Sequence, residues 1–293
     1  MGKSKAAKVW HRTWVGALMV ASAWALLWIA SQDSSGGVLL GGGWILACLG
    51  VAEVSRMGSF RALALGSKLG PALALALAFG VLTIVNRGRS EPLGIGLSLV
   101  AGNLIAEAGV IALVVLVMSR SRAKAGPIWL SPAIALWTVL PLTWLHHIQY
   151  ECGIRGLVAL IILSKIGDTA GYFTGNAIGK SHPFPGISPG KTTAGCVASL
   201  VAGTGAGGAL VALDLLPVPS LGLFGGFLCG ALINVAAQAG DLLESRAKRV
   251  SGVKDSGTWF GPAGGVLDMT DSLLLTVPMA LLTWPLLFEA AGS

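Results

Sequence analysis

Long apolar runs, repeated from one end of the sequence to the other, leave this chain few ways to fold. A segment of roughly 20 apolar residues, rising about 1.5 Å per residue as a helix, crosses a hydrocarbon core about 30 Å thick. Lipid offers no partner to a free backbone N–H or C=O, so a spanning segment is either a helix or a strand of a closed barrel. The ten-residue alternation of barrel strands is absent from the sequence. Helical spans are therefore expected at 14–30, 38–55, 71–85, 93–118, 128–146, 153–178, 193–214, 220–240 and 270–290. The expected fold is all-α, a polytopic integral membrane protein of about nine transmembrane helices. Composition agrees: 54% of residues are hydrophobic and 11% charged, against about a quarter charged in a soluble domain.

Cations set the expected orientation. With nine spans, the N-terminus and the loops after spans two, four, six and eight share one face. Of the 20 Lys and Arg residues, 16 fall on that face; Arg87, Arg89 and Arg155 fall on the other, and Lys165 lies inside span six. This excess predicts a cytoplasmic N-terminus and an external C-terminus in the cytoplasmic (inner) membrane. The net charge of +7 then faces anionic lipid or an anionic substrate. Nucleic acid is not an expected partner, since no soluble basic domain or aromatic platform is present. The first span is longer than the roughly 7–15-residue core of a signal peptide, and "IASQD" makes a poor cleavage site, so an uncleaved anchor is expected. Cys48, Cys152, Cys196 and Cys229 show no metal or redox spacing and read as small side chains packed between helices.

The two halves differ. Residues 1–150 read as scaffold and lipid-facing helices with few ionisable groups. Glu53 is expected at the cytoplasmic interface, solvated near Arg56, and Glu107, in span four with Asn103, as a structural hydrogen-bonding or protonated group. Residues 151–293 carry the remaining helices and the polar cytoplasmic loops, the two halves forming one membrane unit. Polar residues gather at 164–180, 181–195 and 239–271. "GTGAGG" at 203–208 lies within an apolar span with no strand before it, and reads as close helix packing rather than a dinucleotide fingerprint.

"PGISPGKTTAG" at 185–195 ends like a phosphate-binding loop. That loop needs a glycine where Pro185 stands, and a strand before it; prolines supply no amide donors. It is not a P-loop. Ser188, Lys191, Thr192 and Thr193 still suit an anion at a helix N-terminus. The same residues also make a Ser188-Pro189-Gly190 turn, a snorkelling Lys191 and a Thr192 cap on span seven.

In "GDLLESRAKR" helical spacing puts Asp241, Glu244, Ser245 and Lys248 on one stripe, so span eight is expected to project beyond the membrane with a charged face. Lys254 and Asp255 follow, then a Gly-rich turn, then Asp268 and Asp271. The last two can share a helix face, or can cap span nine with Asp268 as N-cap. Asp168 in span six adds another acid toward that side. Carboxylates beside cations at a membrane surface suit Mg²⁺ with phosphate substrates, and hence phosphoryl or nucleotidyl transfer by positioning and charge. The four histidines, His11, His146, His147 and His182, do not adjoin these acids in sequence and read as structural.

"ESRAKRVSGVKDSGTWFGPAGGVLDMTD", 244–271, resembles the C-terminal signature of the phosphatidate cytidylyltransferase (CDP-diacylglycerol synthase) family. Ser245, Lys248, Arg249, Lys254, Asp255, Gly257, Gly264, Gly265, Asp268 and Asp271 fall in register. "DTAGYFTGNAIGK" and "ISPGKTTAG" resemble two further family segments in the family's order. Ala194, Ala263 and Met269 stand where the family usually has Glu, His and Arg, which removes a proton-carrying group and a bidentate phosphate contact. The resemblance implies an Mg²⁺-dependent nucleotidyltransferase that takes CTP and phosphatidic acid to CDP-diacylglycerol and pyrophosphate. It implies Asp241, Asp268 and Asp271 as ligands of Mg²⁺, with one or two cations open. Lys248, Arg249 and Lys254 would meet phosphates; Ser188, Lys191 and Thr192 the triphosphate or lipid phosphate; Asp168, Ser245 and Asp255 would organise substrate. Gly and Ala crowding permits a homodimer without requiring one.

Three other readings stay open on the sequence. A transporter would need charged residues in several spans and broken helices in both halves. A silent relative would bind lipid or a partner without turnover, and a sister enzyme would activate a different lipid phosphate with CTP.

Overall fold

The computed structural model describes residue 14 and residues 21–33, 37–56, 141–142, 144–216, 221–250, 252–257 and 264–287. The expected spans at 71–85 and 93–118, and most of that at 128–146, lie outside the described residues, as do Asn103, Glu107 and Ala263. Among the described residues all regular structure is helical. A helical stretch at 21–32 is followed by α1 (Gly37–Arg56), α2 (Leu145–Ile178), α3 (Thr193–Ala212), α4 (Gly222–Val250), α5 (Val266–Thr270) and α6 (Leu273–Leu287).

Four segments are long and apolar enough to cross a membrane: Cys152–Ile178, Thr193–Ala212, Gly222–Arg249 and Val266–Trp284. Their outward faces carry Phe173, Val197, Val201, Phe224 and Val235, all exposed, as helices solvated by lipid require. The chain is an integral membrane protein.

Helix α2 packs on α3, α3 on α4, and α6 on both α4 and α2. Small residues let α3 and α4 meet closely. A Cβ on Gly207 would stand 2.2 Å from the Gly226 carbonyl oxygen, and one on Gly230 equally close to that of Gly203. "GTGAGG" is thus a packing surface. Polar side chains stitch the same seam: Asn234, 1% exposed, donates to Ser199 Oγ at 3.1 Å and accepts from Gln238 Nε2 at 2.8 Å. Trp284 of α6 donates its indole N–H to Cys229 Sγ of α4 at 3.1 Å. The apolar core centres on Leu157, Leu160, Leu163, Ile233, Val277 and Trp284.

Two boundaries bear on the site. Helix α2 continues upstream of its expected start at 153 through a break at Gly153, whose φ of 67° is one that glycine adopts freely. Helix α4 has 29 residues, about 43 Å at 1.5 Å each, so its C-terminal turns run past a hydrocarbon core. Those turns carry Asp241 to Arg249.

Candidate functional site

Helix α2 ends at Gly179, and a proline-bearing loop leads back to α3. Its backbone is closed by turns, with Ser188 N donating to Phe184 O at 2.9 Å and Lys191 N to Ser188 O at 3.1 Å. Thr192 is the N-cap of α3, its Oγ1 accepting from Gly195 N at 3.1 Å. The cap leaves Lys191 directed at α4, where its Nζ lies 2.6 Å from Asp241 Oδ2.

Asp241 belongs to a group of three acids. One oxygen from each of Asp241, Glu244 and Asp271 falls within 4.8 Å of the others. Helical spacing puts the first two on one face of α4, and Asp271 arrives from the turn between α5 and α6. That turn comes close because position 240 is glycine: a Cβ there would lie 2.6 Å from the Asp271 carbonyl oxygen. Asp271 also meets Lys165 of α2 at 3.3 Å and accepts from Ser272 N at 2.6 Å. Glu244 is fully buried. Its Oε1 has no hydrogen-bond partner among the described residues, while Oε2 is 2.6 Å from Lys248 Nζ.

Lys248 joins this group to a second one. Its Nζ also lies 2.6 Å from Asp268 Oδ1. The other oxygen of Asp268 accepts from Ser256 N at 2.9 Å, Ser256 Oγ at 2.6 Å and Gly265 N at 2.8 Å. Gly265 is the N-cap of α5 and Asp268 its third residue, so the expected capping role of Asp268 as N-cap is corrected to that of an acid closing onto the cap's amide. Asp268 is not among the three clustered carboxylates. Lys248, Ser256 and Gly265 hold it, and α5 ends before Asp271, so the two acids do not share a helix face as their spacing allowed.

Glu53 overturns another expectation. It is 1% exposed rather than solvated. From α1 its Oε1 accepts from Val266 N at 2.8 Å, and its Oε2 from Leu267 N at 3.0 Å and Ser256 Oγ at 3.1 Å. A side chain at Gly257 or Gly265 would collide with this carboxylate, at 2.5 and 2.4 Å. The first half of the chain therefore reaches the acidic loop directly.

The remaining candidates are more dispersed. Arg249 is exposed and donates from Nε to Ile187 O at 3.2 Å, tying α4 to the 181–192 loop. Ser245 is buried on α4. Asp168 is exposed on α2 within electrostatic reach of Lys165, Asp271, Asp241 and Lys191. Lys254 and Asp255 are exposed in the turn after α4, without an ion pair among the described residues. Glu244, Lys165, Glu53 and Ser256 are the additions. Glu244 was legible as a member of the α4 stripe, Lys165 as a cation inside an apolar span and Glu53 as an acid at the end of one, though not their partners; nothing local marked Ser256.

Such a cluster gathers acids that repel one another beside Lys165, Lys191 and Lys248, an arrangement suited to phosphate groups and a divalent cation. The model of the Cytidylyltransferase family matches residues 10–287, far more than half of the chain. The chain belongs to the cytidylyltransferase family. Curated relatives of this chain include a "Phosphatidate cytidylyltransferase" of Brucella suis biovar 1 (strain 1330), 33% identical over 207 residues, covering 69% of this chain and 68% of that one. One of Bacillus subtilis (strain 168) is 37% identical over 143 residues, 46% and 45% of the two chains. An "Uncharacterized protein YnbB" of Escherichia coli (strain K12) is 32% identical over 155 residues, 52% and 49%. The chain thus spans about two thirds of the first relative's length and about half of the other two.

Proposed function

We propose that the protein is a phosphatidate cytidylyltransferase of the cytoplasmic membrane, forming CDP-diacylglycerol and pyrophosphate from CTP and phosphatidic acid. One observation carries this reading: the Asp241, Glu244 and Asp271 carboxylates meet within 4.8 Å, with Lys191 and Lys248 each 2.6 Å from a member of the group. The family and the names of its relatives supply the substrate class.

In the reaction a phosphate oxygen of the lipid attacks the α-phosphorus of CTP. The new P–O bond forms as the bond from that phosphorus to the β-phosphate's bridging oxygen breaks, and pyrophosphate leaves with the bonding electrons. No protein nucleophile is needed, so the chain's task is to align two anions and offset their repulsion. Lys191 offers a charge on a flexible stem and Lys248 one held between Glu244 and Asp268, and Arg249 and Lys254 lie outward, where a triphosphate would arrive from the cytoplasm. Ser188, Thr192 and Asp255 shape the surrounding loops, Ser245 packs on α4, and Asp168 adds negative field on the α2 side.

The donor set fits a hard divalent ion, because all three clustered atoms are carboxylate oxygens and Glu244 Oε1 is buried with no competing donor among the described residues. Asp241, Glu244 and Asp271 would hold Mg²⁺, while Asp268 holds Lys248 and the loop. When bound, Mg²⁺ supplies positive charge to phosphate oxygens. The C-terminal helices from 151 onward bear this machinery and the amino-terminal helices brace it. An apolar groove of about 530 Å³ between α2 and α3, lined by Ala170, Thr174, Ala194, Val197 and Val201, offers an acyl chain a way in from the membrane. The departure at Ala194 puts a methyl group in that lining, beside Thr193.

The test is direct. Purified protein with CTP, phosphatidic acid and Mg²⁺ should release pyrophosphate and a CDP-lipid, and should stop when magnesium is chelated. Lipid binding without pyrophosphate release defeats the reading.

A further inference from the structure

Glu53 stands far from the acidic cluster in sequence, yet a continuous line of contacts joins them. Its carboxylate takes the N–H groups of Val266 and Leu267 at 2.8 and 3.0 Å and the hydroxyl of Ser256 at 3.1 Å. Ser256 Oγ also stands 2.6 Å from Asp268 Oδ2. Asp268 Oδ1 is 2.6 Å from Lys248 Nζ, which is 2.6 Å from Glu244 Oε2. Each member of the line is buried or partly buried, and Glu53 and Glu244 are at 1% and 0% exposure. A buried carboxylate without donors is costly, so Glu53 is present because the loop satisfies it, and the loop is fixed because Glu53 is there.

Resting on the reading of the protein as a CTP-dependent transferase, we infer that Glu53 is a positioning residue for the reaction. Through Ser256 and Asp268 it sets where Lys248 stands, and so keeps the Asp241–Glu244–Asp271 group open toward substrate. The serine hydroxyl has one proton and two carboxylates within reach, so the line depends on both acids being held close together. Removing the carboxylate from α1 frees Ser256 and the start of α5. Asp268 and Lys248 then lose their fixed geometry, although neither is altered. Buried supporting groups of this kind change metal affinity or turnover by about 10- to 100-fold when removed.

The experiment compares full-length wild-type protein, Glu53→Gln, Ser256→Ala and the double variant in detergent. Gln keeps the size of Glu but sets an NH₂ group against a backbone N–H. Expected are a fall in kcat of about 10- to 100-fold for Glu53→Gln with KM for CTP within about threefold, a smaller fall of the same kind for Ser256→Ala, and a double variant no worse than Glu53→Gln. Effects that multiply, a KM change without a kcat change, or a loss that vanishes when activity is expressed per folded molecule would overturn the inference. Melting curves against Mg²⁺ concentration, without substrate, supply a second readout. The midpoint of the Mg²⁺-dependent rise should move to higher concentration in Glu53→Gln, and identical midpoints with folded protein count against positioning. If wild-type protein makes no CDP-lipid, the transferase reading fails on its own, and the Mg²⁺ midpoints of wild type and Glu53→Gln still decide the role of Glu53. Should Glu53→Gln not fold, Ser256→Ala carries both measurements.

Discussion

Lys191, at the end of the loop that precedes α3, lies 2.6 Å from Asp241 on α4. The pair joins two polar segments separated in sequence by α3 and the apolar part of α4, and it puts a cation on the rim of the three-carboxylate group. A lysine there can leave one anion for another, because its charge sits at the end of a flexible stem.

Lys191→Met should therefore lower kcat/KM for CTP by about 10- to 100-fold, the range that a charge-assisted hydrogen bond of roughly 1.5–3 kcal/mol commands. The melting temperature should change little, because Asp241 is partly exposed and can be solvated. Steady-state rates at fixed phosphatidic acid, beside a thermal melt, check both halves of this expectation.

Glu244 and Asp268 should part company on mutation. Glu244→Gln removes charge from the clustered oxygens and should raise the Mg²⁺ needed for half-maximal turnover by about tenfold or more, with the fold kept. Asp268→Asn sets an amide against Ser256, Gly265 or Lys248. Asp268, unlike Glu244, also accepts from Ser256 N, Ser256 Oγ and Gly265 N, and leaving a buried donor unpaired costs about 1–3 kcal/mol, so this variant should lose activity together with a clear drop in melting temperature. Equal stability of the two variants would contradict the separation of roles.

Gly265→Ala puts a Cβ 2.4 Å from the Glu53 carboxylate. Overpacking of this kind costs about 1–3 kcal/mol, and here it also pushes α5 off its anchor, so activity should fall with stability. Gly190→Ala is the contrast: nothing lies within 4 Å of the added carbon, and stability should hold to within about 0.5 kcal/mol. Parallel melts and rates read both.

Gly207→Val should separate α3 from α4, since even a Cβ meets the Gly226 carbonyl at 2.2 Å. A loss of about 1–3 kcal/mol is expected, seen as earlier thermal unfolding in detergent. Gly205→Ala on the same helix, with open space around it, should be neutral.

Much of the helical layout can be read without coordinates. The run at 193–214 appears as α3, Thr193–Ala212, with Thr192 as its cap, because apolar length and a capping residue are both local properties. The charged extension of the span at 220–240 is α4, and its i, i+3 spacing already put Asp241 beside Glu244. Glu53 shows where such reading stops. Near Arg56 at the end of an apolar run, it looked like a solvated interfacial acid; its partners, Ser256, Val266 and Leu267, are supplied by a loop some two hundred positions later.

The pair Asp268 and Asp271 draws the same boundary within four residues. Their spacing allowed one shared face, but α5 ends at Thr270 and α6 begins at Leu273, so the intervening turn sends Asp268 to Lys248 and Asp271 to Asp241 and Glu244. For the four described spans, the sequence alone determined where a helix apolar enough for lipid would form and which residue types gather at its ends, because transfer from water and helical periodicity act on neighbours along the chain. Tertiary structure alone decided which acids meet and which are held apart, because that depends on how closely glycine lets helices and loops approach and on which buried donors each carboxylate finds there.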